Sequence, residues 1–449
     1  MLQKPAADVN CQPRVLLAWE HGRNMGHLAR LLVIANWLER SGFEPVWAVP
    51  QAMINAPALV NVGHVRLPAP VMMKVQQHAG HPPSALDATA ERQAIHSYAD
   101  ILLSFGFGQP EALQPALSAW CQLIHHVQPH CIVLDYAPAA QLSAQLLGLP
   151  AFQITNGFDA PPPSCPVFNI TMRGPYLDRL NDQKLEQIAT SIHTASQQLL
   201  AVPGPTLAEY FVYPTKVYDC IPETDPYAPR SDGLYLGPLT GTSTDAAPGA
   251  STSKPATPPL QPAPTTETNA LPWPADPPHM QDLQHPQRPH IFAYLRHQSG
   301  AADVLQALQR ANASTLCVWP DATDAFLQQS QTPHLHMQRQ PVDLQRALQQ
   351  ADVVVSYGAT TTSCLALLAG KPQLLIPADI EKHRTSQRIQ ALGAGLLWSS
   401  SQPARHPASS SAASCLNTLN QLLYTPSYKT AAQAVAASYP PAMLQDKRT

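Results

Sequence analysis

Apolar positions along this chain gather into short runs bounded by glycine or proline, and the runs alternate with stretches of helical spacing. Residues 14–18 (R-V-L-L-A) form a strand-length run. A loop follows, W-E-H-G-R-N-M-G-H, ending at Gly26-His27. Residues 28–41 then place Leu28, Leu31, Leu32, Ala35 and Leu38 on one helical face, Gly42 stops the helix, and P-V-W-A-V opens another strand. Strand, glycine loop, helix, glycine, strand is a βαβ unit. The pattern recurs. Residues 131–135 (C-I-V-L-D) read as a buried strand, 141–147 as a helix stopped by Gly148, and 150–155 as the next strand. Helical spacing covers residues 95–105, 112–127 and 183–200.

A second series begins at residues 289–295, a strand, followed by a helix at 304–309, a strand at 314–319 and a short helix at 342–350. Its clearest part runs from Ala351 to Trp398. A-D-V-V-V-S-Y-G is a valine-rich run closed by Gly358, as buried parallel strands are. Thr360, Thr361, Thr362 and Ser363 follow, then C-L-A-L-L-A-G-K-P, the strand Q-L-L-I-P and R-I-Q-A-L-G-A-G. Gly370 and Pro372 carry the stop signals of a helix C-terminus. Residues 416–437 close the chain as a helical region broken near Pro426.

Two α/β series predict two domains, which 449 residues accommodate. The expected division is a disordered lead-in at 1–13, a Rossmann-like domain at 14–239, a linker at 240–288 and a second Rossmann-like domain at 289–449. The 48 prolines, about twice the usual share of ~5%, are what require the linker. Residues 240–288 consist mostly of Pro, Ala, Ser, Thr and Gln, with L-P-W-P (271–274) the one apolar phrase, so the stretch reads as largely disordered and partly polyproline II. A partner-binding Pro-rich segment is the alternative. Charged residues make up 13% and the net charge is −3, so neither a nucleic-acid surface nor a polybasic membrane patch is expected. The eight cysteines form no C-x-x-C pair and several lie in apolar runs, which predicts buried free thiols. With no apolar leader and no run of ~18 apolar residues, a soluble cytoplasmic protein is expected.

Candidate chemistry sits at the strand-to-helix turns. Small and hydroxylated residues after Gly358 leave backbone N–H groups free at a helix N-terminus, where an anion such as a phosphate binds. In an open parallel sheet this is also the end where ligands sit. His27 opens the first helix, and an imidazole near neutral pKa suits a general base. A helix-start histidine without chemistry is its structural alternative, and His21 in the same loop is the rival base. Asp135 closes a strand and reads either as a partner for His27 or as a turn carboxylate. His125, His126 and His130 invite a metal reading that Pro129 disfavours.

The Ala351–Gly395 frame resembles the donor-binding signature of nucleotide-sugar glycosyltransferases with the two-domain GT-B fold. The likeness is to the family of UDP-glucosyl and UDP-glucuronosyl transferases. Ala351-Asp352, Gly358, Thr362, Ala366-Leu367, Gly370-Lys371-Pro372, Pro377 and Gly393-Ala394-Gly395 match without gaps. Gly26-His27, Asp135 and the L-G-P-L phrase at 236–239 match the family's first domain. Several contact positions depart from it. Tyr357 stands in place of the diphosphate-binding His, Ala359 and Thr361 in place of glycines, Leu365 in place of the ribose-binding Glu, and Glu381-Lys382 in place of the sugar-binding Asp-Gln. Arg296-His297 replace a Gly-Ser turn; arginine is a good phosphate partner, so Arg296 reads either as compensation for the His missing at Tyr357 or as a surface arginine.

The resemblance implies two doubly wound Rossmann-like domains facing a cleft, and an inverting, metal-independent transferase. It would move a hexose from a UDP- or dTDP-sugar, with no further cofactor, to a hydroxyl of a small or lipid-like acceptor. It implies His27 as base, Asp135 as its support, and Arg296, Tyr357, Gly358, Thr360, Thr361, Thr362, Glu381 and Lys382 as donor contacts. Residues 69–129, with Met72, Met73, Phe105 and Phe107, would wall the acceptor site, ordinary helix packing being the alternative for each. Peripheral membrane contact and the oligomeric state stay open. Two rivals remain: a GT-B protein that binds nucleotide or sugar without catalysis, and a sugar-nucleotide isomerase of the 2-epimerase type.

Overall fold

The structure is a computed structural model that describes residues 12–21, 25–70, 95, 97–162, 175–227, 230–240, 270–275, 288–399 and 411–440. The lead-in at 1–11, Met72, Met73, Cys11, Cys165 and most of the 240–288 stretch lie outside the described residues. The chain divides into two compact units, Met1–Thr240 and Gly241–Thr449.

Unit 1 is built on a parallel sheet. Its strands are β1 (Arg14–Trp19), β2 (Glu44–Val49), β3 (Val65–Pro68), β4 (Cys131–Asp135), β5 (Ala151–Thr155), β6 (Thr215–Tyr218) and β7 (Gly233–Tyr235). The spatial order is β3-β2-β1-β4-β5-β6-β7. The helices that matter for the site are α1 (Met25–Arg40), α3 (Tyr98–Ser104), α4 (Pro110–Val127), α5 (Pro138–Leu147), α6 (Pro175–Leu200) and α7 (Leu207–Val212); the short α2 (Pro57–Asn61) precedes β3. Val15 to Trp19 are fully buried, as expected of a central strand covered by helices on both faces.

Unit 2 repeats the design with β8 (His290–Tyr294), β9 (Ser314–Val318), β10 (Leu335–Gln338), β11 (Val353–Ser356), β12 (Gln373–Leu375) and β13 (Gly395–Leu397), in the order β10-β9-β8-β11-β12-β13. Its helices are α8 (Ala301–Arg310), α9 (Asp324–Ser330), α10 (Leu344–Gln350), α11 (Thr360–Leu368), α12 (Ile380–Ala391), α13 (Ser411–Tyr424) and α14 (Pro426–Ala437). Gly370 ends α11 at φ +67°, and a Cβ there would lie 3.1 Å from Gln433 Cγ on α14, so the stop also sets a close helix approach.

Both sheets have the doubly wound order in which the chain runs outward from one central strand and then returns to its other side. The switch point falls between β1 and β4 in unit 1 and between β8 and β11 in unit 2. At such a point the carboxyl ends of two neighbouring strands diverge into loops on opposite faces and leave a crevice. His27 and Asp135 lie at the first switch point, and Arg296, Tyr357 and Gly358 at the second.

One part of the expected linker is ordered against unit 2. Leu271 and Trp273 pack on the cluster around Phe292, Leu316 and Leu348. Trp273 stacks on His290 at 4.5 Å between ring centroids and its Nε1 donates to Gln350 Oε1 at 2.6 Å, while Ser314 Oγ donates to the Pro274 carbonyl at 2.9 Å. The apolar phrase in the Pro-rich run is an anchor, because an indole is large enough to offset the ordering of a few residues. Among the described residues, Cys121, Cys131, Cys220, Cys317, Cys364 and Cys415 are free thiols. No helix among the described residues is long and apolar enough to cross a membrane.

Candidate active site

At the first switch point β1 and β4 run in register with Trp19 opposite Asp135. Glu20, the next residue, turns its carboxylate onto the start of α5, accepting from the Ala139 N–H at 3.1 Å and the Ala140 N–H at 2.5 Å. Ala137 at the N-cap offers no side-chain acceptor, so a remote strand end caps this helix. The cap pins the loop after β4, where Tyr136 adopts φ +49° and presents its ring to His27 at 5.9 Å. Trp19 stacks on the same imidazole at 5.3 Å.

His27, third residue of α1, places Nδ1 2.8 Å from Asp135 Oδ1. A carboxylate only accepts, so Nδ1 carries the proton and Nε2 keeps the lone pair. Asp135 is fully buried and is also gripped by Arg30, one helical turn after His27. Arg30 Nε donates to Oδ2 at 2.6 Å and Nη2 donates to Oδ1. Nη1 of the same guanidinium donates to Asp219 Oδ2 at 2.9 Å, while Asp219 Oδ1 is buried without a hydrogen-bond partner. Nη2 also lies 2.9 Å from His27 Nδ1; with the proton on Nδ1 both atoms are donors, so this contact is no hydrogen bond and Nη2 gives its hydrogen to Asp135 Oδ1. Burial alone would raise Asp135, but the Arg30 guanidinium and His27 outweigh it and hold the carboxyl below its ordinary value. Burial would likewise lower Arg30; Asp135 and Asp219 overcome it and raise the guanidinium well above its usual range.

Asp159, after β5, lies in the same buried neighbourhood. It accepts from Thr155 Oγ1 and from Gln153 Nε2 at 3.2 Å. Burial pushes it up to about 6, with Asp135 adding to the shift and Thr155 and Arg30 opposing it. His21, the rival base, stacks face to face on Phe105 with centroids 3.5 Å apart; its Nε2 sits 3.4 Å from Glu20 Oε2 without a hydrogen bond. Glu20 is already committed to α5, which leaves His21 without the oriented carboxylate that His27 has. Phe107 is buried in the core beside Tyr210, whereas Phe105 faces His21 and Tyr136.

At the second switch point Ser356 pairs in register with Tyr294 across β11 and β8. The Gly358 N–H donates to Ser356 Oγ at 3.1 Å, and Gly358 takes φ +80°. A Cβ at this position would lie 2.7 Å from Ser386 Oγ on α12, so glycine is required by conformation and by space. Ala359 then occupies the N-cap of α11 with no side chain able to cap it. Thr361 and Thr362 are half-buried on the first turn, and Thr360 is buried with Oγ1 3.5 Å from Thr385 Oγ1. The Arg296 guanidinium lies 5.4 Å above the Tyr357 ring, and Tyr294 flanks the same ring at 5.7 Å. Lys382 donates from its N–H to Asp379 Oδ1 at 3.1 Å and from Nζ to Oδ2. Burial would lower Lys382, but Glu381 and Asp379 raise it. Lys382 is thus engaged at the cap of its own helix, next to half-buried Glu381.

The structure brings His27 to Asp135 in unit 1, and Arg296, Tyr357, Gly358, Thr360, Thr361, Thr362 and Lys382 to one strand-end neighbourhood in unit 2. Arg30, Asp219, Asp159 and Glu20 were missed by sequence reasoning. Arg30 had a signal, its i+3 spacing from His27 on a helix. Asp219 had one as well, since it closes the V-Y-D strand end as Asp135 closes C-I-V-L-D.

No family model matches the chain and no curated protein matches its sequence. Solved structures match its fold. CalG4, the calicheamicin glycosyltransferase, aligns with a TM-score of 0.61 at 15% identity over 97% of this chain and 95% of that one. The glycosyltransferase VinC in complex with dTDP aligns with a TM-score of 0.58 at 16% identity over 97% and 99%. The spinosyn rhamnosyltransferase SpnG complexed with spinosyn aglycone gives 0.56 at 15% identity over 97% and 100%. With two doubly wound parallel sheets in sequence, the chain has the Rossmann-like architecture of these GT-B proteins.

Proposed function

We propose that this protein is an inverting glycosyltransferase that moves a hexose from a UDP- or dTDP-linked donor to a hydroxyl of a small or lipid-like acceptor. The observation that carries the proposal is the imidazole of His27 hydrogen-bonded through Nδ1 to the buried, ionised Asp135 at a switch point. That arrangement leaves Nε2 as a base. It takes the acceptor proton while the acceptor oxygen forms its bond to the anomeric carbon and the bond to the nucleoside diphosphate breaks. One displacement on one face inverts the anomeric centre. Asp135 supports the imidazolium that forms.

Donor binding is assigned to unit 2. The turn from Gly358 to Thr362 presents backbone N–H groups and the positive end of α11 to the departing diphosphate, and Arg296 adds a full cation. This charge is what a metal supplies elsewhere, and the proposal therefore calls for none. Glu381 is the acceptor of sugar hydroxyl hydrogen bonds. VinC was solved with dTDP and SpnG with an aglycone, which supports a nucleotide-linked donor and a small-molecule acceptor here. The free thiols fit a cytoplasmic setting.

Calorimetry on the full chain with UDP and dTDP, followed by mass spectrometry of donor and acceptor panels, tests the proposal. Binding of one nucleotide is expected, together with a hexose mass gain on an acceptor hydroxyl that is lost without donor. Nucleotide binding with no transfer to any hydroxyl acceptor overturns catalysis and leaves a nucleotide-binding protein. That second reading is favoured by Tyr357, whose ring stands under Arg296 at the family's diphosphate position.

A further inference from the structure

Arg30 touches two carboxylates, and only one of them touches His27. Asp135 is within hydrogen-bond distance of the imidazole, but the same carboxylate takes two N–H donations from Arg30. A carboxylate shared with a guanidinium balances an imidazolium only in part. The remaining negative charge belongs to Asp219, held on the far side of the guanidinium at 2.9 Å and 3% exposed. One guanidinium against two carboxylates leaves the cluster with a single negative charge while His27 is neutral, and with none once His27 is protonated.

We propose that Asp219 is a positioning residue that, through Arg30, supplies the negative charge balancing the His27 imidazolium. The inference rests on the reading of His27 as a base. In this cluster Asp135 orients the ring, Arg30 fixes both carboxylates, and Asp219 sets the proton affinity. The other charged and titratable groups around the imidazole are Asp159 behind β5, Tyr136 after β4, and the Glu20–His21 pair after β1. None of them hydrogen-bonds Arg30, as Asp219 does. The unpartnered Oδ1 of Asp219 leaves half of this carboxylate's charge undamped by hydrogen bonds.

The test is a charge cycle read on the imidazole itself. The His27 ring proton is assigned in the full chain by its loss in His27→Gln, and its titration is followed by NMR. Asp219→Asn, nearly isosteric, is expected to lower the midpoint by roughly one unit, a tenfold loss of proton affinity. Arg30→Gln is expected to raise it. The double variant removes one charge of each sign and returns the midpoint close to that of the parent. Shifts of opposite sign that cancel are not produced by loosened packing. If Asp219→Asn does not fold, the step from Arg30→Gln to the double variant measures the same charge and must fall by the same margin. A midpoint that does not move on removal of Asp219, in either background, overturns the proposal. The readout needs no turnover. If the midpoints shift as expected and no variant or parent transfers sugar, the function fails and the charge balance stands. Where transfer is seen, the acid limb of the kcat/KM profile follows the same order.

Discussion

His27 and Asp135 are 108 residues apart in the chain and 2.8 Å apart in space. The approach follows from topology. β1 and β4 are sheet neighbours, Trp19 pairs with Asp135, and the helix after β1 starts over the end of β4. Asp135→Asn keeps the shape and removes the obligate acceptor. The amide can donate to Nδ1, which moves the imidazole proton to Nε2 and abolishes the base. A loss of roughly 10²–10⁴-fold in kcat is expected, with nucleotide affinity unchanged. The buried pair with Arg30 is broken as well, at a stability cost on the order of 3 kcal/mol measured by urea unfolding.

Replacement of His27 by Ala is the simplest removal of the proposed base. Transfer should fall to background while calorimetry with the preferred nucleotide gives the parent affinity, because the turn proposed to bind nucleotide belongs to unit 2. A His27→Ala variant that keeps most of its activity removes this residue from the reaction.

The parts of the fold that the sequence shows are those whose physics is local. The valine run of β11, the stop at Gly370 and the break at Pro426 each state their structure within a few residues, and the strand ending at Asp135 agrees residue for residue with its reading. The edge strands β3 and β10 escaped it because they are four residues long, β3 exposed at both ends and β10 alternating buried Leu335 and Met337 with polar His336 and Gln338, so no apolar run marks them. Arg30 looked like any polar residue on the outer side of a helix. Only the strand order, which no single segment encodes, shows that its guanidinium meets carboxylates from the ends of β4 and β6. Trp273 was hidden by its surroundings: proline on either side reads as linker, and its partner His290 lies beyond the rest of that linker.

Gly358 is tested by substitution. Alanine there must hold φ +80° and place Cβ 2.7 Å from Ser386 Oγ. About 1–2 kcal/mol of stability should be lost, with nucleotide affinity weakened because the turn shifts. Ser386 Oγ is buried and makes no hydrogen bond, so Ser386→Ala alone should be close to neutral. The Gly358→Ala/Ser386→Ala pair should recover the steric part of the loss and not the conformational part. Thermal unfolding of the three variants separates them.

The Trp273 anchor divides the Pro-rich stretch into two parts with different tolerance to deletion. Removal of residues 241–269 with a short flexible replacement should leave unit 2 as stable as before. Extension of the cut through Ala275 strips the indole from His290 and the Gln350 hydrogen bond, and Trp273→Ala alone should cost about 1–3 kcal/mol. Urea unfolding of the full chain, followed by a probe in unit 2, reads the difference; equal stability after both deletions would refute the anchor.

Asp159 gives the clearest dependence on pH. Its folded value of about 6 stands above the ordinary 3.8 because the carboxyl is buried, so the native state binds this proton more tightly than the unfolded chain does. The stability it contributes is complete below about pH 4 and is lost as pH rises through about 6. The full loss is about 3 kcal/mol, of which roughly half falls between pH 5 and 7.5. Asp159→Asn keeps an uncharged group that can donate to Thr155 Oγ1 and accept from Gln153, so it stays in the protonated-like state at every pH. Relative to the parent, this variant should gain stability as pH rises from 5 to 7.5, by about 1.5 kcal/mol. Asp135, held below its ordinary value, acts in the opposite sense and only at lower pH, where its stability is lost as pH falls. The two carboxylates therefore separate in one experiment: urea midpoints of Asp159→Asn and parent diverge above pH 5, and a constant gap across that range would mean Asp159 is ionised throughout.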